Sequence, residues 1–396
     1  MKKDKKSAWI FSILYFMGLS IYMLKGLVGV SFPFLQSEYH FSAVQLGNIA
    51  ATFFWTYSVS FLLLGVVTRK IGVKKHAVFT FAGMGICEIL FALSSTYSAF
   101  LFIKAVEGVM AAGFFLCSAS IICALFAEKK SKQVQAYQIS SVGVSSLAIA
   151  VLLVPLMDFF SWRAGYTAVG ILCLVIAVLI IKFIPDVELV EKHEKSVPFR
   201  LILFRKTTLC MLVNMLFINI YLYAIFNFAV LYFADSKGFS VQAASYLSAV
   251  NAAVAFFCIL LMGYLTKYFR PKNIYLILII LIAVLGLGIV FTPFYIESMA
   301  LAYGFSFGGF SMLMSLNQQL YTKNEIPVST GIINFGGALG GAIAPSLFGF
   351  ILITTNNNYN VCFIILSILV LIPIFTIIPI TKHDEYRKDL LSKKLC

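Results

Sequence analysis

The stretch Phe102-Ile-Lys-Ala-Val-Glu-Gly-Val-Met110 sets Lys104 and Glu107 three residues apart within a long apolar run. At that spacing two side chains share one face of a helix and can meet. Two more ionisable residues have similar surroundings, Lys25 in Tyr22-Met-Leu-Lys-Gly26 and Glu88 in Ile86-Cys-Glu-Ile89. If these runs cross a membrane, each charge costs roughly 2.5–3.5 kcal/mol near the bilayer centre and should face the protein interior or water. An ammonium there can hold an anionic group, and a carboxyl can take up and release a proton. Lys25 and Lys104 are therefore candidates for binding an anionic solute. Glu107 is the first candidate for the proton site, since burial disfavours its charged form while Lys104 favours it. Glu88 is a second candidate, or a plain partner of Lys104. A purely architectural reading stays open, in which Lys104–Glu107 and Lys25–Glu88 are ion pairs that only fix helix packing.

The elements that must carry these residues are legible in the composition. Of 396 residues 61% are hydrophobic and 12% charged, with a mean hydropathy of +0.96. Soluble domains run near a quarter charged. A helix needs about 20 apolar residues to cross the hydrocarbon. Twelve such runs are expected, at 9–33, 43–67, 77–95, 98–127, 136–158, 165–185, 206–233, 242–266, 274–292, 296–320, 327–353 and 360–381. The first, which follows Met1-Lys-Lys-Asp-Lys-Lys6, is too long for a signal peptide and reads as an uncleaved helix. Counting about 1.5 Å per residue from the expected helix ends puts Lys25, Glu88, Lys104 and Glu107 in one band, roughly 9–14 Å from the outer surface.

The net charge of +14 raises the question of nucleic acid, and its distribution answers it. All but four of the 30 Lys and Arg fall in 1–6, 68–76, 128–136, 182–206, 267–273, 321–326 and 382–396; the exceptions are Lys25, Lys104, Arg163 and Lys237. Those segments all lie on one side of a twelve-helix chain, which by the positive-inside rule is the cytoplasm, with both termini there. A membrane explanation absorbs the charge, and no nucleic-acid partner is expected. The eight cysteines show neither disulfide nor metal-ligand spacing, and no metal or cofactor is expected.

The longest polar connection, around 186–205, divides the chain into a six-helix half at 1–185 and another at 206–396. Similar punctuation recurs in each. Gly65-Val-Val-Thr-Arg-Lys-Ile-Gly-Val-Lys-Lys75 follows the second run, and Gly263-Tyr-Leu-Thr-Lys-Tyr-Phe-Arg-Pro-Lys272 follows the eighth. Internal repeats of this kind build many transporters, with the substrate site between the halves near the midplane. The expected fold is thus an all-α membrane protein of two pseudo-symmetric six-helix halves.

Taken in order, these segments resemble the major facilitator superfamily over nearly the whole chain. Gly65, Lys70, Gly72 and Lys74 match that family's Gly-x-x-x-Asp-Arg-x-Gly-Arg-Lys loop, with Arg69 in place of its Asp. Lys104-Ala-Val-Glu-Gly108 resembles its Arg-x-x-Gln-Gly in helix four, Ser161-Trp-Arg-Ala-Gly-Tyr166 its Gly-Trp-Arg entry to helix six, and Gly336–Pro345 its glycine-rich helix eleven. The resemblance implies that helices one, four, seven and ten line a central cavity. That places Lys25, Lys104 and Glu107 on cavity helices and Glu88 on a more peripheral one. A basic residue late in helix one also resembles the anion:cation symporter branch, although Leu24 stands where that branch often has Asp.

Further candidates are uncharged. Asn219 near the middle of helix seven can hydrogen-bond a polar solute, and Tyr57 is the member of Phe53-Phe-Trp-Thr-Tyr57 most worth testing. Both cytoplasmic repeat loops are basic. Arg69 and Lys70, with the acids Glu128 and Glu325, are expected to form a cytoplasmic gate, the two acids latching it. No nucleophile motif, nucleotide-binding motif or soluble domain suggests an enzyme. The expected function is proton-coupled symport, in the direction of uptake, of a small polar, anionic organic solute. The protein is expected to be a monomer in a bacterial cytoplasmic membrane, its partners being the solute, protons and lipid. The alternative is proton-coupled efflux of drugs or hydrophobic metabolites.

Overall fold

The computed structural model describes residues 2–126, 128–186, 199–266, 268–321 and 325–378, without the side chains of 2–8, 61–67, 69, 128–133, 135, 136, 139, 199 and 327. Its described elements are all helical. They are α1 (Lys2–Tyr39), α2 (Ala43–Ile71), α3 (Val73–Leu93), α4 (Tyr97–Ala111), α5 (Gly113–Leu125), α6 (Glu128–Ala148), α7 (Val154–Phe159), α8 (Trp162–Phe183) and α9 (Phe199–Leu203). After these come α10 (Lys206–Leu231), α11 (Val241–Leu265), α12 (Pro271–Phe291), α13 (Tyr295–Leu320), α14 (Ile326–Thr354), α15 (Tyr359–Leu369) and α16 (Ile372–Ile377). Two π-helical turns interrupt the series, Ile149–Leu153 between α6 and α7 and Tyr232–Ser236 after α10.

Among the described residues, 11 helical stretches are long and apolar enough to cross a bilayer. The 29-residue α2, part of whose side chains lie outside the description, completes the twelve expected crossings. Several crossings are composite. Tyr97–Leu125 combines α4 and α5 across Ala112, Tyr359–Ile377 combines α15 and α16, and Lys206–Ser236 adds a π turn to α10.

Local chemistry sets the helix ends. Ser42 and Gln45 form a reciprocal capping box at the start of α2: the Gln45 N–H donates to Ser42 Oγ at 3.3 Å and the Ser42 N–H to Gln45 Oε1 at 2.9 Å. Thr96 and Asn358 cap α4 and α15 in the same sense. Gly72, between α2 and α3, has φ +84°, a left-handed value that a side chain would strain.

The chain forms two compact units. One contains α1–α8 with 227–249; the other contains 199–226 with the described residues from 250 onward. In the first unit the interior is aromatic, with Phe91 stacked on Tyr166 at 4.5 Å and packed against Phe100 at 4.7 Å. Large apolar side chains such as Phe79, Leu93, Phe159 and Val178 point outward, as a lipid-facing surface requires. The end of α1 is tied to the start of α8. Arg163 donates to Glu38 Oε1 at 2.8 Å and to the Tyr39 hydroxyl at 2.7 Å, and the Trp162 indole N–H donates to Glu38 Oε2 at 2.5 Å.

In the second unit α14 lies against α10. A Cβ added at Gly336 would come within 2.6 Å of the Leu212 carbonyl oxygen, and one at Gly340 within 2.5 Å of that of Leu216. The small residues of the glycine-rich stretch thus let two backbones approach closely, as expected of such a stretch.

Candidate functional site

Two helices, α3 with Glu88 and α4 with Lys104 and Glu107, bring these side chains together in the interior of the first unit. The approach depends on glycine at two crossings. A Cβ at Gly108 of α4 would lie 2.2 Å from the Phe53 carbonyl oxygen of α2. At the α3–α8 crossing a Cβ at Gly85 would lie 2.7 Å from the Gly170 carbonyl oxygen, and one at Gly170 would lie 3.3 Å from Cβ of Glu88. Lys104 Nζ donates to Glu88 Oε1 at 2.9 Å and lies 2.6 Å from Glu107 Oε2, a charge contact without the alignment of a hydrogen bond. All three side chains are fully buried. The ammonium also sits over the rings of Phe91 at 4.7 Å and Tyr166 at 5.2 Å.

One ammonium facing two carboxylates leaves a formal charge of −1 in a dry aromatic setting. Glu88 Oε2 and both Glu107 oxygens have no hydrogen-bond partner. Removing a carboxylate from water without full compensation is costly. A proton on either carboxyl would neutralise the cluster.

Lys25 stands apart from this cluster. Helix α1 does not stop near Pro33 but runs on to Tyr39, with Pro33 inside it, so Lys25 lies farther from that helix end than the expected span put it. Its ammonium is surrounded by aromatic rings, with centroids at 4.5 Å for Tyr57, 5.8 Å for Phe115 and 5.9 Å for Phe54. Lys25 is 7% exposed and meets no carboxylate at ion-pair distance among the described residues. The Lys25–Glu88 pair considered from the sequence does not form; Glu88 partners Lys104 instead. A cation over an aromatic face gains about 0.5–2 kcal/mol, less than the several kcal/mol that burying an ammonium costs. The Lys25 ammonium therefore has electrostatic capacity left for an anion. A cavity of about 10 Å³ adjoins it, lined by Leu24, Val28, Ala50, Phe53, Phe54 and Asn227.

A short hydrogen-bonded path runs from one site toward the other. The Ser31 hydroxyl of α1 donates to the Val28 carbonyl at 2.7 Å and meets the Tyr166 hydroxyl at 2.7 Å. Because the single Ser31 proton is engaged by Val28, Tyr166 is the donor in the second bond. Val28 lines the Lys25 cavity, and the Tyr166 ring lies under Lys104.

The other candidates are placed as follows. Tyr57 is buried and is the nearest ring to Lys25. Asn219 is buried, with its amide N–H donating to the Met215 carbonyl at 2.8 Å, and its side chain packs beside Gly337 and Gly340. Lys70 is exposed near the end of α2. Glu325 is held by Arg205 at 2.7 Å within the second unit. The side chains of Arg69 and Glu128 lie outside the described residues. Around Lys25 the structure adds Phe54, Phe115 and Asn227, none of which the sequence singled out as a site residue, and elsewhere it leaves the buried Asn251 amide without a hydrogen-bond partner on either atom. Spacing gave no signal for the three around Lys25, because they come from three different helices.

The apolar crossings thus bury a Lys104–Glu88–Glu107 cluster and, apart from it, the Lys25 ammonium. The sequence profile of the Major Facilitator Superfamily matches residues 14–345, and the chain belongs to that family. It is accordingly a multi-pass membrane transporter and not an enzyme. The hexuronate transporter of Bacillus subtilis (strain 168) is 20% identical over 380 residues, covering 90% of each chain. The D-galactonate transporter of Escherichia coli O6:H1 (strain CFT073) is 18% identical over 368 residues, covering 83% of this chain and 85% of its own. Among solved structures, a bacterial homologue of the human lysosomal transporter Spinster superposes with a TM-score of 0.75 at 12% identity, covering 96% of this chain and 97% of that one. A D-xylose–proton symporter superposes with a TM-score of 0.74 at 14% identity, covering 93% of this chain and 96% of that one.

Proposed function

We propose that the protein carries a small organic anion across the bacterial cytoplasmic membrane by proton-coupled alternating access, in the direction of uptake, as a monomer with both termini in the cytoplasm. The observation that carries this reading is the buried Lys25 ammonium, caged by aromatic rings and unmatched by any described carboxylate. A site with uncompensated positive charge favours an anion and disfavours a cation. The names of the hexuronate and galactonate transporters, both acid carriers, support the same class of solute. The proton is assigned to the Glu88–Glu107 pair, with Lys104 holding that pair rather than the solute. Coupling is assigned to the contact from Tyr166 through Ser31 to the wall of the Lys25 site. Glu325, Glu128, Arg69 and Lys70 remain the proposed cytoplasmic gate. Efflux of a cationic drug fits less well, because the spare charge is positive.

The test is transport by purified protein in liposomes. Organic anions should accumulate when the pH gradient drives protons inward with the solute, and should exchange without a gradient. Exchange of anions that is indifferent to the pH gradient would refute the proton coupling. Transport confined to neutral or cationic compounds would refute the anion site.

A further inference from the structure

A cavity of about 430 Å³ opens on the first unit, lined by Trp9, Lys74, Lys182, Phe183, Ile184 and Pro185. It shares no residue with the Lys25 site or the Lys104 cluster. Pockets of roughly 300–1,000 Å³ are the size that holds small ligands. Three membrane crossings end at this one. Trp9 opens Trp9–Tyr39, Lys74 lies in the first turn of Val73–Leu93, and Phe183 closes Trp162–Phe183. The cavity therefore lies at a boundary of the bilayer, on the side that the distribution of Lys and Arg favours for the cytoplasm.

Its lining is cationic and aromatic. Trp9 stacks on Phe183 with ring centroids 5.4 Å apart and planes 6° from parallel. Lys182 Nζ lies 5.6 Å from the Phe183 centroid. Among the described residues neither Lys74 nor Lys182 is at ion-pair distance from a carboxylate. Two lysines thus line one open cavity with no described acid to balance them. Basic pockets at this depth suit anionic lipid head groups.

The surface beside the cavity is apolar. Val175, Val178 and Lys182 follow the i, i+3, i+7 spacing of a single face of α8. Val175 is 48% exposed and Val178 60%. A phosphate at Lys182 would have these two aliphatic side chains leading from it toward the bilayer interior, as an acyl chain requires. Trp9, 53% exposed, adds an amphipathic ring at head-group depth.

We infer that this cavity binds the phosphate of an anionic phospholipid, whose acyl chain lies along Val175 and Val178. A zwitterionic head group fits less well, because its own cation would enter a lining with two lysines and no described carboxylate. A free phosphate would leave the apolar track unused.

Quenching of Trp9 by lipids brominated on their acyl chains tests the inference in a bilayer. The other tryptophans are Trp55 and Trp162. Trp55 is 45% exposed and Trp162 only 3%, so Trp55→Phe leaves Trp9 as the exposed one. Full-length Trp55→Phe protein is reconstituted in phosphatidylcholine with brominated phosphatidylglycerol or brominated phosphatidylcholine. Brominated phosphatidylglycerol should act with an apparent affinity roughly 10- to 30-fold higher. Adding Lys74→Gln and Lys182→Gln should erase that preference. Lys74→Arg with Lys182→Arg should retain it, as should Arg200→Gln with Lys206→Gln, which removes the same charge at exposed positions outside the cavity. Inorganic phosphate should not relieve the quenching. Equal quenching by the two lipids overturns the inference, as does a preference that survives Lys74→Gln with Lys182→Gln or fails in the Arg pair. A preference lost equally in the Arg200 and Lys206 variant replaces it with diffuse surface attraction. Relief by inorganic phosphate replaces the lipid with a soluble anion.

Discussion

Replacing Lys104 with Met should unbalance the core of the first unit, and the structure allows the size of the effect to be worked out. Lys104 Nζ lies 2.9 Å from one carboxylate and 2.6 Å from the other, with all three side chains fully buried. At an effective dielectric constant of about 20, each contact is worth roughly 6 kcal/mol before desolvation is subtracted. Desolvation removes most of this, but a lost partner leaves the carboxylates uncompensated, and breaking a buried pair costs about 3–5 kcal/mol. Set against a total stability on the order of 5–15 kcal/mol, that lowers the melting temperature by roughly 6–20 °C. Combining Lys104→Met with Glu88→Gln and Glu107→Gln removes the stranded charges and should return most of the loss. The assay is thermal unfolding in detergent at neutral pH, followed by tryptophan fluorescence. A Lys104→Met single variant as stable as the wild type would refute the reasoning, as would a triple variant no better than the single.

Glu107→Gln should keep solute exchange between the two sides of a liposome but lose accumulation driven by a pH gradient; unchanged accumulation would remove Glu107 from the proton site. Gly108→Val should abolish folded protein because its Cβ would meet the Phe53 backbone, whereas Gly143→Val, with nothing within 4 Å, should cost only about a few tenths of a kcal/mol; yields and melting curves compare them. Glu325→Gln breaks a partly exposed pair with Arg205 and should cost about 1 kcal/mol or less, with the cost shrinking in high salt. Neutralising Glu128 and Glu325 together should shift the protein toward its inward-open state, read as increased labelling of cysteines introduced on the cytoplasmic side.

The helices were legible because membrane crossings depend on composition alone: each needs its length of apolar residues, whatever its neighbours are. The Lys104–Glu107 contact was legible for a related reason, since both residues are on one turn of one helix. Glu88 was harder to place. Its family position suggested a peripheral helix, but the Gly85–Gly170 approach draws α3 against α8 and turns Glu88 onto Lys104. No spacing in the chain encodes that crossing. Tyr57 stood out in its aromatic cluster, but the cage itself did not, because Tyr57, Phe54 and Phe115 belong to different helices from Lys25 and no spacing joins them. The first expected span, 9–33, ended at Pro33. Pro33 instead lies within α1, which runs on to Tyr39.

The central claim is that the Lys25 ammonium holds the anion, and charge replacement at that position tests it most directly. Binding of an organic carboxylate to purified protein should be measured for the wild type, Lys25→Gln and Lys25→Arg. Losing a charge-assisted contact of about 1.5–3 kcal/mol should weaken binding roughly 10- to 150-fold in Lys25→Gln. Lys25→Arg, which keeps the charge, should stay within about tenfold of the wild type. Folded Lys25→Gln that binds the carboxylate as tightly as the wild type would contradict the account.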